Sequence, residues 1–193
     1  MAAQLKAIRT DKVFCKTLPY YLESVQKDCE PIYDPSFNID YQHPSSRVYQ
    51  GNWEMVILSM YHTKTKYAEQ FKRTYELIMD NVPDCHTVAI SCLYPGTVIK
   101  PHIGMDKNLY RGHFYFNVPG KCQFVADNET WNVKNGDCFY FDDKVKHSAN
   151  NLSDKPRYAV LFDMYIEIPD TPFEPRDDMK AWLKQNDAGI NIA

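Results

Sequence analysis

The carboxyl-terminal half of the sequence consists of short, β-rich segments separated by tight turns. Five segments are rich in Val, Ile, Tyr and Phe: residues 87–93, 110–118, 121–126, 137–141 and 157–166. The turns between such segments contain the pairs Pro95-Gly96, Pro119-Gly120 and Asn135-Gly136. Short strands at this spacing favour an antiparallel barrel or sandwich. No phosphate-binding glycine motif opens a helix, so the pattern excludes a Rossmann fold.

The first third of the sequence has a helical pattern instead. Apolar residues recur at intervals of three and four in two groups: Tyr21, Leu22, Val25 and Cys29, then Tyr67, Phe71, Tyr75 and Ile78. The first group predicts a short amphipathic helix that starts near Thr17, and the second predicts a helix that ends before Pro83. The proline-bearing stretch 29–46 is predicted to cross the surface, where it could cover a site.

Length and composition are those of one folded unit. A chain of 193 residues and 22.6 kDa can bury about 70% of its unfolded surface. We predict a single domain over residues 1–193, mainly β with flanking helices. Residues 1–86 form a helical and loop support that could act as a lid, residues 87–168 form the β core, and residues 169–193 form a carboxyl-terminal helix and tail. Met179, Trp182 and Leu183 are the apolar face of that last helix.

Charge and cysteine usage restrict the partners and the compartment. A formal charge of -3 argues against a nucleic acid polymer or an anionic membrane as partner. The amino terminus lacks the apolar run of a signal peptide, and no segment reaches the roughly 20 apolar residues that span a bilayer, which predicts a cytoplasmic protein. Six cysteines without a C-x-x-C pair predict reduced, buried thiols. The sequence carries no indication of an oligomeric state.

Two histidines lie beside predicted strand ends. His102 lies in the run YPGTVIKPHIG, and His147 follows FDDKVK. Turns at strand ends commonly carry the ligands of a barrel site. Two imidazoles suit Fe, Zn, Cu or Ni, whereas the absence of an HExxH helix and of a cysteine partner argues against a closed zinc site. The pair therefore favours an open, redox-active metal.

Basic side chains accompany the histidine pair. The alternation of a strand starting at Tyr110 places Arg111, His113, Tyr115 and Asn117 on one face. Arg157 opens the last long strand, where its guanidinium can bind a carboxylate through two parallel hydrogen bonds. A single arginine would be explained by an ordinary ion pair with a carboxylate at the surface. Together with the histidines, these groups indicate an anionic co-substrate.

Three features occur together in the sequence: the run SCLYPGTVIKPHIGMDKNLYRGH, the run GDCFYFDDKVKH, and an arginine ten residues after the second run. With this combination the sequence resembles the aspartyl/asparaginyl β-hydroxylase family of iron- and 2-oxoglutarate-dependent dioxygenases. The resemblance covers residues 87–165. It implies a cupin-like double-stranded β-helix, or jelly roll, with Fe(II) bound by His102 and His147. It also implies that Arg157 and Ser91 bind the distal carboxylate of 2-oxoglutarate, while Arg111 and His113 lie at the iron-bound end. His102, His147 and Arg111 are then the catalytic residues, with O₂ as oxidant.

Gly104 departs from the pattern of most such oxygenases. A carboxylate two residues after the first histidine completes the usual two-histidine, one-carboxylate triad, but glycine cannot ligate. The resembled family shares this departure. Asp106 is a candidate replacement ligand, although a solvated loop explains it better. Asp142 and Asp143 are candidates either for orienting an imidazole or a water on the metal, or for capping the turn.

Three functions compete on these observations. The leading hypothesis is hydroxylation of a small metabolite, such as an amino acid, a nucleotide or a natural-product intermediate, with decarboxylation of 2-oxoglutarate to succinate. Animal members of the resembled family receive protein substrates through a helical-repeat domain, and this sequence has no such repeats. The second hypothesis is a halogenase, because an open position at Gly104 could admit chloride. The third is a catalytically silent barrel that only binds a ligand.

Overall fold

A computed structural model describes residues 6–39, 41–42, 47–104, 108–167 and 177–186. The strands are β1 (Tyr41–Gln42), β2 (Tyr49–Gln50), β3 (Trp53–Met60), β4 (Thr63–Lys64), β5 (Cys85–Leu93), β6 (Val98–His102), β7 (Leu109–Asn117), β8 (Cys122–Ala126), β9 (Glu129–Asn132), β10 (Cys138–Asp142), β11 (His147–Asn151) and β12 (Arg157–Tyr165). The α-helices are α1 (Val13–Thr17), α2 (Leu22–Asp28), α3 (Lys66–Gln70), α4 (Lys72–Asn81) and α5 (Asp177–Asn186). Two 3₁₀ helices span Leu18–Tyr21 and Glu30–Tyr33.

The strands form two antiparallel sheets. The larger sheet has the order β1-β3-β5-β12-β7-β10, with β4 paired to β3, and the smaller has the order β2-β6-β11-β8-β9. One apolar cluster joins Ala89, Tyr115 and Ala159 of the larger sheet to Phe124 and Ala149 of the smaller sheet. The sheets therefore pack face to face around a shared interior. This arrangement confirms the prediction of a mainly β jelly roll with flanking helices.

The amino-terminal helices cover the outer face of the larger sheet. Leu18, Val25, Phe71 and Ile78 are fully buried and pack with strand residues such as Phe162. Their spacing of three and four residues is what places them on one helical face. Both predicted helices are present, although Phe71 separates α3 from α4 and a 3₁₀ turn precedes α2. The helical support is therefore confirmed as a layer on the sheet.

The first 86 residues also supply a central strand, which the sequence reading missed. β3 lies between β1 and β5 in the larger sheet, and seven of its eight residues are buried. A strand buried on both faces lacks the apolar–polar alternation by which strands are recognised. The stretch 29–46 contains the 3₁₀ helix Glu30–Tyr33 and the short strand β1, while residues 40 and 43–46 lie outside the described residues.

The remaining elements agree with the sequence. α5 lies where the terminal helix was predicted, and its Leu183 is buried. All six cysteines fall in the described part of the chain, where they are buried and unpaired in disulfides. Among the described residues, no helix is both long enough and apolar enough to cross a membrane.

Candidate active site

The two predicted histidines are direct neighbours across two strands. His102 ends β6 and His147 begins β11, and the two residues are register partners in the smaller sheet. Their ring centroids are 4.3 Å apart. Each Nδ1 lies 2.8 Å from a backbone carbonyl two residues earlier, that of Lys100 or of Val145. A carbonyl can only accept, so Nδ1 carries the proton and each Nε2 retains its lone pair for a metal.

The environment of His147 keeps its imidazole neutral. Burial is the largest cause that lowers the pKa of His147 to about 4, and the neighbouring His102 and Arg111 lower it further. The backbone carbonyl of Val145 opposes this shift. Because only a neutral imidazole can bind a metal, the shift leaves His147 able to ligate at neutral pH.

Gly104 faces a carboxylate. Its N–H donates to the Asp143 carbonyl oxygen at 2.8 Å. A Cβ atom at position 104 would lie 1.5 Å from Oδ2 of Asp143, so the Asp143 side chain occupies the space that a residue-104 side chain would need. Asp143 Oδ1 lies 3.9 Å from His147 Nε2. The Asp143 carboxylate therefore lies between the backbone at position 104 and the His147 ring.

The Asp143 side chain therefore fills the space beside Gly104. The space contains a buried carboxylate, which repels chloride, so the geometry gives the halogenase hypothesis no support. Asp142 has the turn-capping role, since its Oδ1 accepts a hydrogen bond from the Lys144 N–H at 2.8 Å. Asp106 lies outside the described residues.

Arg111 is held by two carboxylates. Its Nε and Nη2 donate to Oδ1 and Oδ2 of Asp163 at 2.7 and 2.9 Å. Its Nη1 lies 3.2 Å from Asp143 Oδ1. Sequence reasoning missed Asp163, although the alternation of a strand beginning at Arg157 places residue 163 on the same face. The link from Asp163 through Arg111 to Asp143 ends beside His147.

Arg157 is a buried cation with unused donors. The residue is 2% exposed, and its Nε and Nη1 have no hydrogen-bond partner in the described part of the chain. Its guanidinium lies over the Tyr115 ring, 5.3 Å from the centroid. A buried, unpaired charge is strongly unfavourable in a folded protein. The donor set fits a carboxylate ligand that would bind both free N–H groups.

Ser91 and His113 complete the polar interior. The buried Ser91 Oγ accepts a hydrogen bond from Trp53 Nε1 at 3.0 Å, which leaves the hydroxyl proton to donate elsewhere. His113 Nδ1 lies 2.9 Å from the Tyr115 hydroxyl. Burial, followed by the charge of Arg157, lowers the pKa of His113 well below its usual value of 6.5, so the ring is neutral. These groups are available as neutral donors or acceptors.

Strand directions separate the metal-binding candidates from the arginine. β5 ends at Leu93 and a turn leads back into β6, so His102 lies toward the level where β5 begins. Arg157 pairs with Leu93, at the opposite end of β5. Arg111 pairs with Asp163, six residues further along β12 than Arg157. The interior therefore has one end with histidines and carboxylates and another with a cation.

One residue predicted on the interior face lies on the other side. A bulge shifts the register so that Tyr158 pairs with Asn117 while Ala159 pairs with Tyr115. Phe116 is the extra residue, and it faces the helical layer. Asn117 consequently hydrogen-bonds Tyr33 in that layer. The alternation predicted for residues 111–115 is correct, but it does not continue through the bulge.

The described residues contain no group of three or more His, Cys, Asp or Glu side chains arranged to hold a metal ion. The candidate centre therefore consists of two imidazoles with a carboxylate nearby, rather than a complete three-residue ligand set. The assignment of His102 and His147 as the metal ligands stays a prediction.

Comparisons with known proteins define the family. The aspartyl/asparaginyl β-hydroxylase family model matches residues 21–166. The chain belongs to this family, which supports an enzyme of the hydroxylase type. Aspartate β-hydroxylase domain-containing protein 2 from Xenopus tropicalis and from Homo sapiens are each 34% identical over 79 residues. That segment covers 39% of this chain and 21% of each relative, so the chain spans about a fifth of these proteins.

Solved structures of similar architecture include two proteins from Thermotoga maritima. One is described as a predicted oxalate decarboxylase, with 18% identity, a TM-score of 0.45, and coverage of 65% of this chain and 90% of that one. The other is a cupin-like protein, with 13% identity, a TM-score of 0.44, and coverage of 81% of this chain and 100% of that one.

Proposed function

We propose that this protein is an Fe(II)- and 2-oxoglutarate-dependent oxygenase that hydroxylates a C–H bond of a small metabolite. The observation that carries the proposal is the buried Arg157, whose Nε and Nη1 lack partners in the described structure. It shares an interior with two imidazoles that present Nε2 lone pairs. A dicarboxylate that chelates a metal at one end needs such a cation at its other end.

His102 and His147 would hold the metal, and the carbonyls of Lys100 and Val145 fix both rings in the required tautomer. Phe141 and Phe124 pack beside the His147 ring, with centroids 4.8 and 6.2 Å away. These apolar rings exclude water from that side of the site. When bound, Fe(II) and 2-oxoglutarate supply the activation of O₂, with release of CO₂ and succinate.

Arg157 would bind the distal carboxylate of 2-oxoglutarate through its free N–H groups. The Tyr115 ring packs against the face of the Arg157 guanidinium. Trp53 orients Ser91, whose hydroxyl proton can then be donated to the same carboxylate. His113, neutral and close to Tyr115, would form a hydrogen bond at the iron-bound end of 2-oxoglutarate without adding a second charge. The protein's contribution is to orient the co-substrate and exclude water.

The first test is metal binding to purified, metal-free protein. His102→Ala and His147→Ala each remove one of two protein ligands, so we expect Mn(II) or Fe(II) binding under anaerobic conditions to be lost while circular dichroism shows an intact fold. The matched control is His62→Ala, because His62 is an exposed histidine outside the pair. Retention of near-native metal affinity in either site variant would refute the metal assignment.

The second test is turnover with a metabolite extract, Fe(II), 2-oxoglutarate and ¹⁸O₂. We expect Fe(II)-dependent succinate formation and a product that carries one labelled hydroxyl group. Mass spectrometry in chloride buffer distinguishes the alternatives. A chlorinated product would identify a halogenase, and binding of 2-oxoglutarate without succinate formation would identify a silent barrel.

A further inference from the structure

Asp163 and Asp143 together contact all three nitrogen atoms of the Arg111 guanidinium. Asp163 makes a two-point contact with Nε and Nη2, and Asp143 contacts Nη1 at 3.2 Å. The side chains of Asp143 and Asp163 are 2% and 10% exposed, so solvent screens these contacts only weakly. One cation between two anions leaves this cluster with one net negative charge when both acids are ionised.

The two arginines of the interior therefore differ in what they can bind. Arg157 has free N–H donors and no carboxylate within ion-pair distance in the described part of the chain. The charge of Arg111 is already paired with two carboxylates. Its surroundings favour a cation, whereas those of Arg157 favour an anion.

We propose that Asp163 is a positioning residue for the metal centre, acting through Arg111 on Asp143. Asp163 fixes the plane of the guanidinium, and the guanidinium holds the Asp143 carboxylate in the space beside Gly104. That carboxylate then lies close to His147 Nε2, where its charge stabilises a divalent cation on the histidine pair. Arg111 thus links Asp163 to the metal-binding half of the site.

This inference depends on the proposed function, because it assumes a divalent cation on His102 and His147. The inference also explains why residue 104 is a glycine, since any side chain there would displace the Asp143 carboxylate that Arg111 holds.

The test separates metal affinity from keto-acid affinity. Mn(II) is titrated by calorimetry into metal-free protein without keto acid, and 2-oxoglutarate is then titrated into metal-saturated protein without O₂. Asp163→Asn keeps the side-chain shape but removes the charge. We expect it to weaken Mn(II) binding by about 10–100-fold, and to change 2-oxoglutarate affinity by no more than about twofold.

The reference variants make the result specific. Arg157→Lys should show the opposite pattern, with 2-oxoglutarate affinity reduced and Mn(II) affinity retained. Asp163→Glu should recover part of the Mn(II) affinity, because it restores the charge. Asp80→Asn, at an exposed helical position, is the matched control and should leave both affinities unchanged. The Co(II) absorption spectrum provides a further readout, and we expect Asp163→Asn to alter its d–d bands.

Two outcomes would overturn the inference: unchanged Mn(II) affinity in Asp163→Asn, or a loss of 2-oxoglutarate affinity as large as the loss of metal affinity. If Asp163→Asn fails to fold, Arg111→Lys decides by the same criteria, because it keeps the charge but loses the two-point contact with Asp163. If His102→Ala binds Mn(II) as tightly as the wild-type protein does, the proposed function itself fails. That result does not depend on Asp163.

Discussion

At the scale of single residues, the Arg157 guanidinium is a charge placed where folding disfavours it. Its Nε and Nη1 lack hydrogen bonds in the described structure, and the contact with the Tyr115 ring compensates only in part. Binding sites typically contain groups whose burial destabilises the ligand-free protein and whose geometry matches the ligand. The unpaired N–H groups of the buried Arg157 therefore account both for its destabilising effect and for its proposed binding of a carboxylate.

We expect Arg157→Met to stabilise the ligand-free protein while preventing co-substrate binding. Replacing a buried charge by an apolar side chain of similar length should raise the free energy of unfolding by about 1–4 kcal/mol. The lost charge-assisted contact should weaken 2-oxoglutarate binding by about 2–5 kcal/mol. Urea unfolding and calorimetry measure the two effects, with the exposed Arg73→Met as control. A destabilised variant that still binds 2-oxoglutarate would contradict the assignment.

The residues found from the sequence share one property. His102, His147 and Arg157 lie at or beside recognisable turns and strand ends, and the matched family range 21–166 includes all three. The contact between Gly104 and Asp143 joins two separate connections between strands. No local pattern reports which residue fills the space above a glycine, so that contact required the structure.

At the scale of elements, alternation predicts strands only where the two faces differ. The predicted core segments appear as β5, β7, β8, β10 and β12, each within two residues at either end. β3 was missed because it is buried along nearly all its length, and the orientation of Asn117 was missed because of the bulge at Phe116. Continuous burial removes the alternation, and a bulge reverses it.

Gly112 controls how β7 packs against β12. A Cβ atom at this position would lie 1.9 Å from the Phe162 ring, which is buried and packs edge-on against Phe14 of α1. We expect Gly112→Ala to cost about 1–3 kcal/mol through overpacking. Phe162→Leu removes the clashing ring atoms, so the double variant should lose less stability than the sum of the two single variants, as measured by urea unfolding. Strict additivity would place the strain elsewhere.

At the scale of the whole molecule, the interior holds several histidines in their neutral form. Burial is the largest cause that lowers the pKa values of His86, His113 and His147. His86 is buried and stacks on Tyr165 with ring centroids 4.3 Å apart. In the unfolded chain these imidazoles titrate near pH 6.5. Folding therefore keeps protons off groups that would bind them in water.

This linkage predicts that the metal-free protein loses stability as the pH falls below about 6.5. Below that pH the unfolded state binds more protons than the folded state, so the free energy of unfolding decreases by up to about 1.4 kcal/mol per pH unit for each buried histidine. For His147 the loss continues down to its folded pKa of about 4. Above pH 6.5 the contribution is fully present, because both states are neutral.

Urea unfolding at pH 7.5, 6.5, 5.8 and 5.2 in the presence of a chelator measures the slope. His86→Gln removes one buried imidazole outside the proposed metal ligands, so we expect a shallower decrease between pH 6.5 and 5.2 than in wild type. Asp80→Asn, at an exposed helical position, is the control and should retain the wild-type slope. Because protonated imidazoles cannot bind a metal, added Mn(II) should stabilise the protein at pH 7.5 and lose this effect toward pH 5.2. If His86→Gln and wild type show the same slope, the His86 imidazole is protonated in the folded protein over this range, and its burial does not exclude the charge.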